Sequence, residues 1–186
     1  ASRSGGAYYV GAPARRLRAM IAERHGLTPD HVYLSPGSSV GIMALALAAA
    51  KHGDVLGPDL FFDYTAAVVE RQGVARLRRL PRDPGLAIDL SALEAAVDDS
   101  ISLVNVVNPN NPTGLLSDPD ALREFCVRAS RRARVLVDEA YNELTDDPDG
   151  NSVIDLVRDG RDVIVCRTFS KIYGMAGMRV GYAITT

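Results

Sequence analysis

Apolar residues follow two rhythms along this chain, and the rhythms alternate. Short runs at Asp54–Pro58, Val74–Leu80, Ile101–Val107, Arg134–Val137, Asp162–Cys166 and Val180–Ile184 read as buried strands. Val32-Tyr33-Leu34 is a shorter extended piece. Between them lie stretches with helical spacing. Pro13–His25 carries Leu17, Met20 and Ile21 on one face, with Gly26 as its stop. Phe61-Phe62-Asp63-Tyr64 leads into a helix predicted to reach Gln72, and Gly73 ends it. Asp89–Val97, Asp118–Arg131 and Asn151–Arg158 complete the set. Val40–Ala50 is a continuous Ala-rich apolar run and predicts a buried helix. Strands alternating with helices predict an α/β three-layer sandwich around a mainly parallel, doubly wound sheet.

The polar clusters fall where this pattern breaks. Ser35-Pro36-Gly37-Ser38-Ser39 opens the Val40 helix, and Ser38 or Ser39 can cap it. Free N–H groups and the helix dipole there suit a phosphate. Asn108-Pro109-Asn110-Asn111-Pro112-Thr113-Gly114 is a dense turn after one strand, and Asp138-Glu139-Ala140-Tyr141 follows another. Lys171, one of two lysines in the chain, follows the Asp162–Cys166 strand in a Gly-containing loop that also holds Arg179. In a parallel sheet the carboxyl ends of the strands face one crevice, so these residues can meet. A Lys beside Arg179 and partly desolvated is expected to lose its proton easily and to attack a carbonyl.

Each residue has a plainer reading alone. Gly37-Ser38-Ser39 can be an ordinary helix cap, Asn111 a turn residue and Asp138 an N-cap. Tyr141 and Phe62 can be packing residues, and Tyr9 part of an irregular arm. The set as a whole asks for one ligand with a phosphate, an aldehyde, a ring nitrogen that gains from protonation and a ring oxygen. Pyridoxal phosphate has all four.

Composition narrows the class. The 186 residues form one domain or part of a larger protein, and a 47% hydrophobic content allows a sizeable core. The net charge of −2, with arginines in scattered short groups, argues against nucleic acid as a partner. No apolar run reaches membrane-spanning length, and no signal-peptide pattern opens the chain. Cys126 and Cys166 lack metal or redox spacing, and His25, His31 and His52 are scattered, so no metal site is expected. A cytoplasmic setting fits two core cysteines.

Ser-Pro-Gly-Ser-Ser, Asn-Pro-Asn-Asn-Pro-Thr-Gly, Val-Asp-Glu-Ala-Tyr and Thr-Phe-Ser-Lys-Ile-Tyr-Gly-Met-Ala-Gly-Met-Arg stand here in one order. With these segments the chain resembles the large domain of fold-type I, class I/II aminotransferases, and within them histidinol-phosphate-aminotransferase-like proteins. The resemblance implies that Lys171 forms the Schiff base with the cofactor and shuttles a proton. It implies that Asp138 pairs with the ring nitrogen, and that Asn111 and Tyr141 bond the ring oxygen. Ser38, Ser39, Ser170 and Arg179 would hold the phosphate. Phe62 would stack on the ring, with Phe61 or Tyr64 as alternatives. Tyr9 would reach the phosphate of a neighbouring subunit, which implies a homodimer with shared sites.

The resemblance also implies that residues 1–186 are a large-domain fragment without the N-terminal arm and the small domain. The expected activity is transfer of an amino group between an amino acid or related amine and a 2-oxo acid. A decarboxylase, cyclase or lyase on the same scaffold, or a non-catalytic sensor domain, are the alternatives.

Overall fold

A computed structural model describes residues 11–186. Seven strands form a single sheet: β1 (Val32–Ser35), β2 (Asp54–Pro58), β3 (Leu77–Leu80), β4 (Ile101–Val107), β5 (Arg134–Asp138), β6 (Val163–Thr168) and β7 (Gly181–Ile184). Their order is β1-β7-β6-β5-β4-β2-β3. The pairs from β3 through β2, β4 and β5 to β6 are parallel. Only β7 turns back, antiparallel to both β6 and β1. The mainly parallel sheet is therefore as expected, and the inserted antiparallel strand is the feature that alternation alone does not announce.

Helices cover both faces. Along β5, Val135 and Val137 enter one core with Phe125 and Leu122 of α5 (Pro119–Ala129) and Ile21 of α1 (Gly11–Arg24). Leu136 between them enters the other core, with Ile42 and Ala46 of α2 (Ser38–Ala49) and Val69 of α3 (Val68–Arg71). This alternation is the period of two that a strand buried on both faces requires. Each fully buried Leu or Phe there contributes about 1.5–3 kcal/mol of transfer free energy. The remaining helices, α4 (Leu90–Ala95) and α6 (Ile154–Arg158), join the first face. Asp89 and Asp118 cap α4 and α5 by accepting the N–H groups of Ala92 and Ala121.

Three expectations need correction. The helix predicted to run to Gln72 shrinks to the four residues of α3, and Asp63 ahead of it turns its carboxylate to Arg79 at 2.8 and 2.9 Å. The Val74–Leu80 strand starts only at Leu77, since the N–H groups of Val74 and Ala75 fold back onto the Val69 carbonyl. The Val40–Ala50 helix is buried on one face only, and Val40 itself is 43% exposed. No helix among the described residues is long and apolar enough to cross a membrane.

Candidate active site

The carboxyl ends of β4 and β5 form a rigid wall. Asn108 N–H bonds the Asp138 carbonyl at 3.0 Å, and Glu139 N–H bonds the Cys166 carbonyl at 2.8 Å. Asp138 is thus pinned between two neighbouring strands with its side chain buried. Its Oδ1 accepts the Ala140 N–H at 3.2 Å. Burial pushes this carboxyl up to about 7; the nearby Glu139 adds to the shift, while Ala140 and the positive charge of Lys171 oppose it. A positive partner at the carboxylate would therefore be strongly favoured. Beside it, the Asn111 amide donates to the Tyr141 hydroxyl at 3.4 Å, so both groups converge on one spot. Lys171 Nζ stands 4.8 Å from the centre of the Tyr141 ring. Asn111, Pro112, Leu116, Tyr141 and Leu144 line a cleft of about 510 Å³ alongside.

A second group of residues gathers at the start of α2. Gly37 caps that helix at φ +78°, a conformation that side chains resist. A Cβ there would lie 2.3 Å from Arg179 Nη2, so the guanidinium rests directly on the bare backbone. Arg179 adopts a left-handed conformation, φ +51°, and its Nη1 bonds the Ala176 carbonyl at 2.8 Å and Ser170 Oγ at 3.2 Å. Ser170 Oγ in turn meets Thr168 Oγ1 at 2.9 Å. Gly181 lies between Ser35 and Thr168 across the sheet, and a Cβ on it would come within 2.3 Å of the Ser38 nitrogen. Ser38 is buried and Ser39 half-buried on the first turn of α2. Unpaired first-turn N–H groups, two hydroxyls and a guanidinium in one place make an anion cradle.

The model of the family "Aminotransferase class I and II" matches residues 3–186 of this chain. The chain belongs to this family. Among its class I/II relatives, histidinol-phosphate aminotransferase 2 of Carboxydothermus hydrogenoformans is 38% identical over 181 residues, 94% of this chain and 48% of that protein. An aromatic amino acid aminotransferase of Streptomyces avermitilis is 35% identical, covering 90% of this chain and 47% of the relative. Among solved structures, histidinol-phosphate aminotransferase of Sinorhizobium meliloti in complex with pyridoxal-5'-phosphate superposes with a TM-score of 0.85. It is 26% identical, over 98% of this chain and 50% of that one. The chain thus spans about half the length of the curated aminotransferases it matches.

As a class I/II aminotransferase chain, it brings Asn111, Asp138, Tyr141 and Lys171 together at the wall, and Ser38, Ser170 and Arg179 at the cradle. Ser39 sits beside them on α2. Others fall differently. Lys171 is exposed, as is every residue from 171 to 179, so the partial desolvation expected of it is not provided by its surroundings here. Phe61 is excluded as a stacking residue because it is buried in the core under α3. Phe62 is 40% exposed, and its aromatic neighbour is Tyr64 at 6.4 Å between ring centres. Tyr64 in turn lies under Arg71, 4.6 Å from its guanidinium carbon. Tyr9 lies outside the described residues. Thr168 was missed, although its spacing of two from Ser170 places both on one side of an extended segment. Glu139 was also missed, and nothing in the sequence marks a carboxylate as wholly buried.

The residues fit pyridoxal phosphate on the structure's own terms. The buried Asp138 carboxyl calls for a cationic partner, and the bare backbone at Gly37 lets the Arg179 guanidinium pack against the start of α2, so that cation and first-turn N–H groups can face one anion.

Proposed function

We propose that the protein is a pyridoxal-phosphate-dependent aminotransferase, moving an amino group between an amino acid or related amine and a 2-oxo acid. The amine would be histidinol phosphate or a similar compound, as the names of its relatives suggest. The observation that carries this reading is the convergence of Lys171, Asp138, Tyr141 and Asn111 on one wall, with the Gly37–Arg179 cradle, in a chain of this family.

Bound pyridoxal phosphate would supply an electron sink for the bonds at the substrate Cα. The chain's own residues divide the remaining work. Asp138 would be the residue to hold a proton at the ring nitrogen, since its buried carboxylate favours a cationic partner. Asn111 and Tyr141, which meet at 3.4 Å, would offer an N–H and an O–H to the ring oxygen. Arg179, Ser170, Ser38 and Ser39 would hold the phosphate. Lys171 presents an amine next to the Tyr141 ring on a flexible stem, and would be the residue that holds the cofactor and moves a proton. Phe62 and Tyr9 complete the reading, Phe62 on the ring face and Tyr9 across a homodimer interface. We place the protein in the cytoplasm, a setting supported by the free, buried Cys126 and Cys166.

The test is a visible absorption spectrum of the full-length protein with pyridoxal phosphate, then borohydride reduction and peptide mapping. A pyridoxyl group on Lys171 is expected, followed by conversion to the pyridoxamine form when an amino donor is added. A label on Lys51 instead, or none at all, overturns the reading. A label on Lys171 with no pyridoxamine form overturns the transaminase part of it.

A further inference from the structure

Behind the wall lies an ion pair that the proposed chemistry does not use. Glu139 follows Asp138 directly, so its side chain leaves the strand end on the opposite face. It is fully buried. Its carboxylate accepts Arg167 Nη2 at 2.7 Å, Arg167 Nε at 3.0 Å, the Ser152 hydroxyl at 2.9 Å and the Val153 N–H at 2.9 Å. Arg167, whose side chain is 5% exposed, spends its other edge on Glu143 at 3.3 Å. A buried ion pair is a poor way to gain stability, because an apolar pair of the same volume does as well or better. Its use here is geometric. The fork of Arg167 joins the end of β6 to the turn 138–141 and to the short helical turn after it. Ser152 and Val153 tie the same carboxylate to the start of α6.

Beyond the strand bonds, the turn's other bonds are local or long: the Ala140 N–H to Asp138, the Asn142 N–H to the Glu139 carbonyl at 3.1 Å, the Leu144 N–H to the Tyr141 carbonyl at 3.0 Å and the Asn111 amide to the Tyr141 hydroxyl at 3.4 Å. Asp138 lies one residue before Glu139 and Tyr141 two residues after. A shift of Glu139 therefore moves both together. The charged and titratable groups around the two carboxylates are Arg167, Cys126 and Tyr182 for Glu139, with Glu143 on the other edge of Arg167; Lys171 for Asp138; Cys166, which faces both; and the two carboxylates for each other. Arg167 is the strong cationic partner of Glu139. Without it, Glu139 either takes up a proton, and loses its charge, or stays a buried, uncompensated charge that the turn must open to hydrate.

We propose that Glu139 and Arg167 are positioning residues that hold Asp138 and Tyr141 in a fixed relation to each other and to the cofactor ring. The inference rests on the pyridoxal phosphate reading given above. The experiment uses the full-length protein and the variants Arg167→Gln, Glu139→Gln/Arg167→Gln and Arg167→Gln/Tyr141→Phe, with Tyr141→Phe as reference. Three quantities are read: the dissociation constant for pyridoxal phosphate, the pH midpoint of the bound cofactor's absorbance, and the thermal midpoint.

Arg167→Gln is expected to weaken pyridoxal phosphate binding by about tenfold or more and to move the absorbance midpoint. The double Gln variant, neutral at both positions and isosteric at 139 though shorter at 167, should recover affinity to within about threefold. In the Tyr141→Phe background, Arg167→Gln should move the midpoint by less than half as much, because one of its routes is already cut. Unchanged affinity and midpoint in Arg167→Gln overturn the proposal. So does a loss that the double variant fails to recover and that adds fully to Tyr141→Phe, since that is the mark of general destabilisation. If Arg167→Gln does not fold, Arg167→Lys, which keeps the charge and loses the fork, is judged by the same criteria. A wild-type protein that takes up no pyridoxal phosphate overturns the functional reading, and this inference with it.

Discussion

The wall and the cradle are built in opposite ways. Asn111, Asp138 and Tyr141 stand at the ends of central strands, and the backbone of Asp138 is bonded on both sides by Asn108 and by Cys166 through its neighbour Glu139. The cradle is made of backbone and glycine, and its guanidinium comes from a stretch exposed from Lys171 to Arg179. A ring nitrogen must be met by one charge at one angle, in a low dielectric where that charge counts most. A phosphate can be held by several N–H donors around it, and needs close backbone approach more than burial. Lys171 lies on the exposed side and touches the wall through the Tyr141 ring. The one group that would have to move in the proposed reaction is thus carried by the less constrained half.

That contrast can be broken, most severely at its junction. Replacing Lys171 by Ala in the full-length protein should lower turnover by about 10⁴-fold or more while leaving the fold intact, because the side chain is exposed. Steady-state kinetics with circular dichroism checks both halves of that statement. Next comes the charge in the wall. The Asp138 carboxyl holds its proton up to about 7 in the fold, against an ordinary value of 3.8. Between those values the folded protein keeps a proton that the unfolded chain has released, so stability falls as pH rises. The loss is about 4 kcal/mol across that window. Asp138→Asn has no such loss. Without cofactor it should outlast the wild type at pH 8 and match it at pH 4 in denaturant unfolding. Parallel pH profiles would remove the wall's electrostatic character.

The cradle answers to shape instead. Gly37→Ala forces φ +78° on a side chain and pushes its Cβ into Arg179. It should cost about 1–3 kcal/mol and weaken pyridoxal phosphate binding, as read by unfolding and by spectral titration. At the bottom of the scale stands Met178→Ala in the exposed loop. With Met178 67% exposed, stability should change by no more than about 0.5 kcal/mol in the same unfolding assay.

The sequence showed the strands well because runs such as Ile101–Val107 are buried on both faces and carry no competing pattern. It showed the wall and cradle residues because each sits at a break in that pattern. It could not show that β7 enters the sheet backwards. A short apolar run has no direction, and only the pairing of Arg167 with Tyr182 and of Thr168 with Gly181 reveals it. The choice between Phe61 and Phe62 was equally hidden. They are adjacent, both aromatic, and separated only by which one the core beneath α3 swallows. Glu139 was invisible for a different reason. Charged residues are read as solvent-facing by default, and its burial depends on Arg167, 28 residues on in the chain.

The placement of β7 has a consequence in time. β1 touches the sheet only through β7, and the cradle lies across Ser35, Gly181 and Thr168. The two sides of the cradle are therefore far apart in sequence, with Ser35 and the start of α2 on one side and Thr168 and Gly181 on the other. Contacts of such high contact order close late, since the intervening chain must be ordered first. During synthesis the strands from β2 to β6 can pair as they emerge, while β1 and the start of α2 wait for Gly181–Ile184 to slot in. Capture of a phosphate at this spot would then report a finished sheet. A cofactor added to a refolding chain should bind in the slowest kinetic phase and not before it.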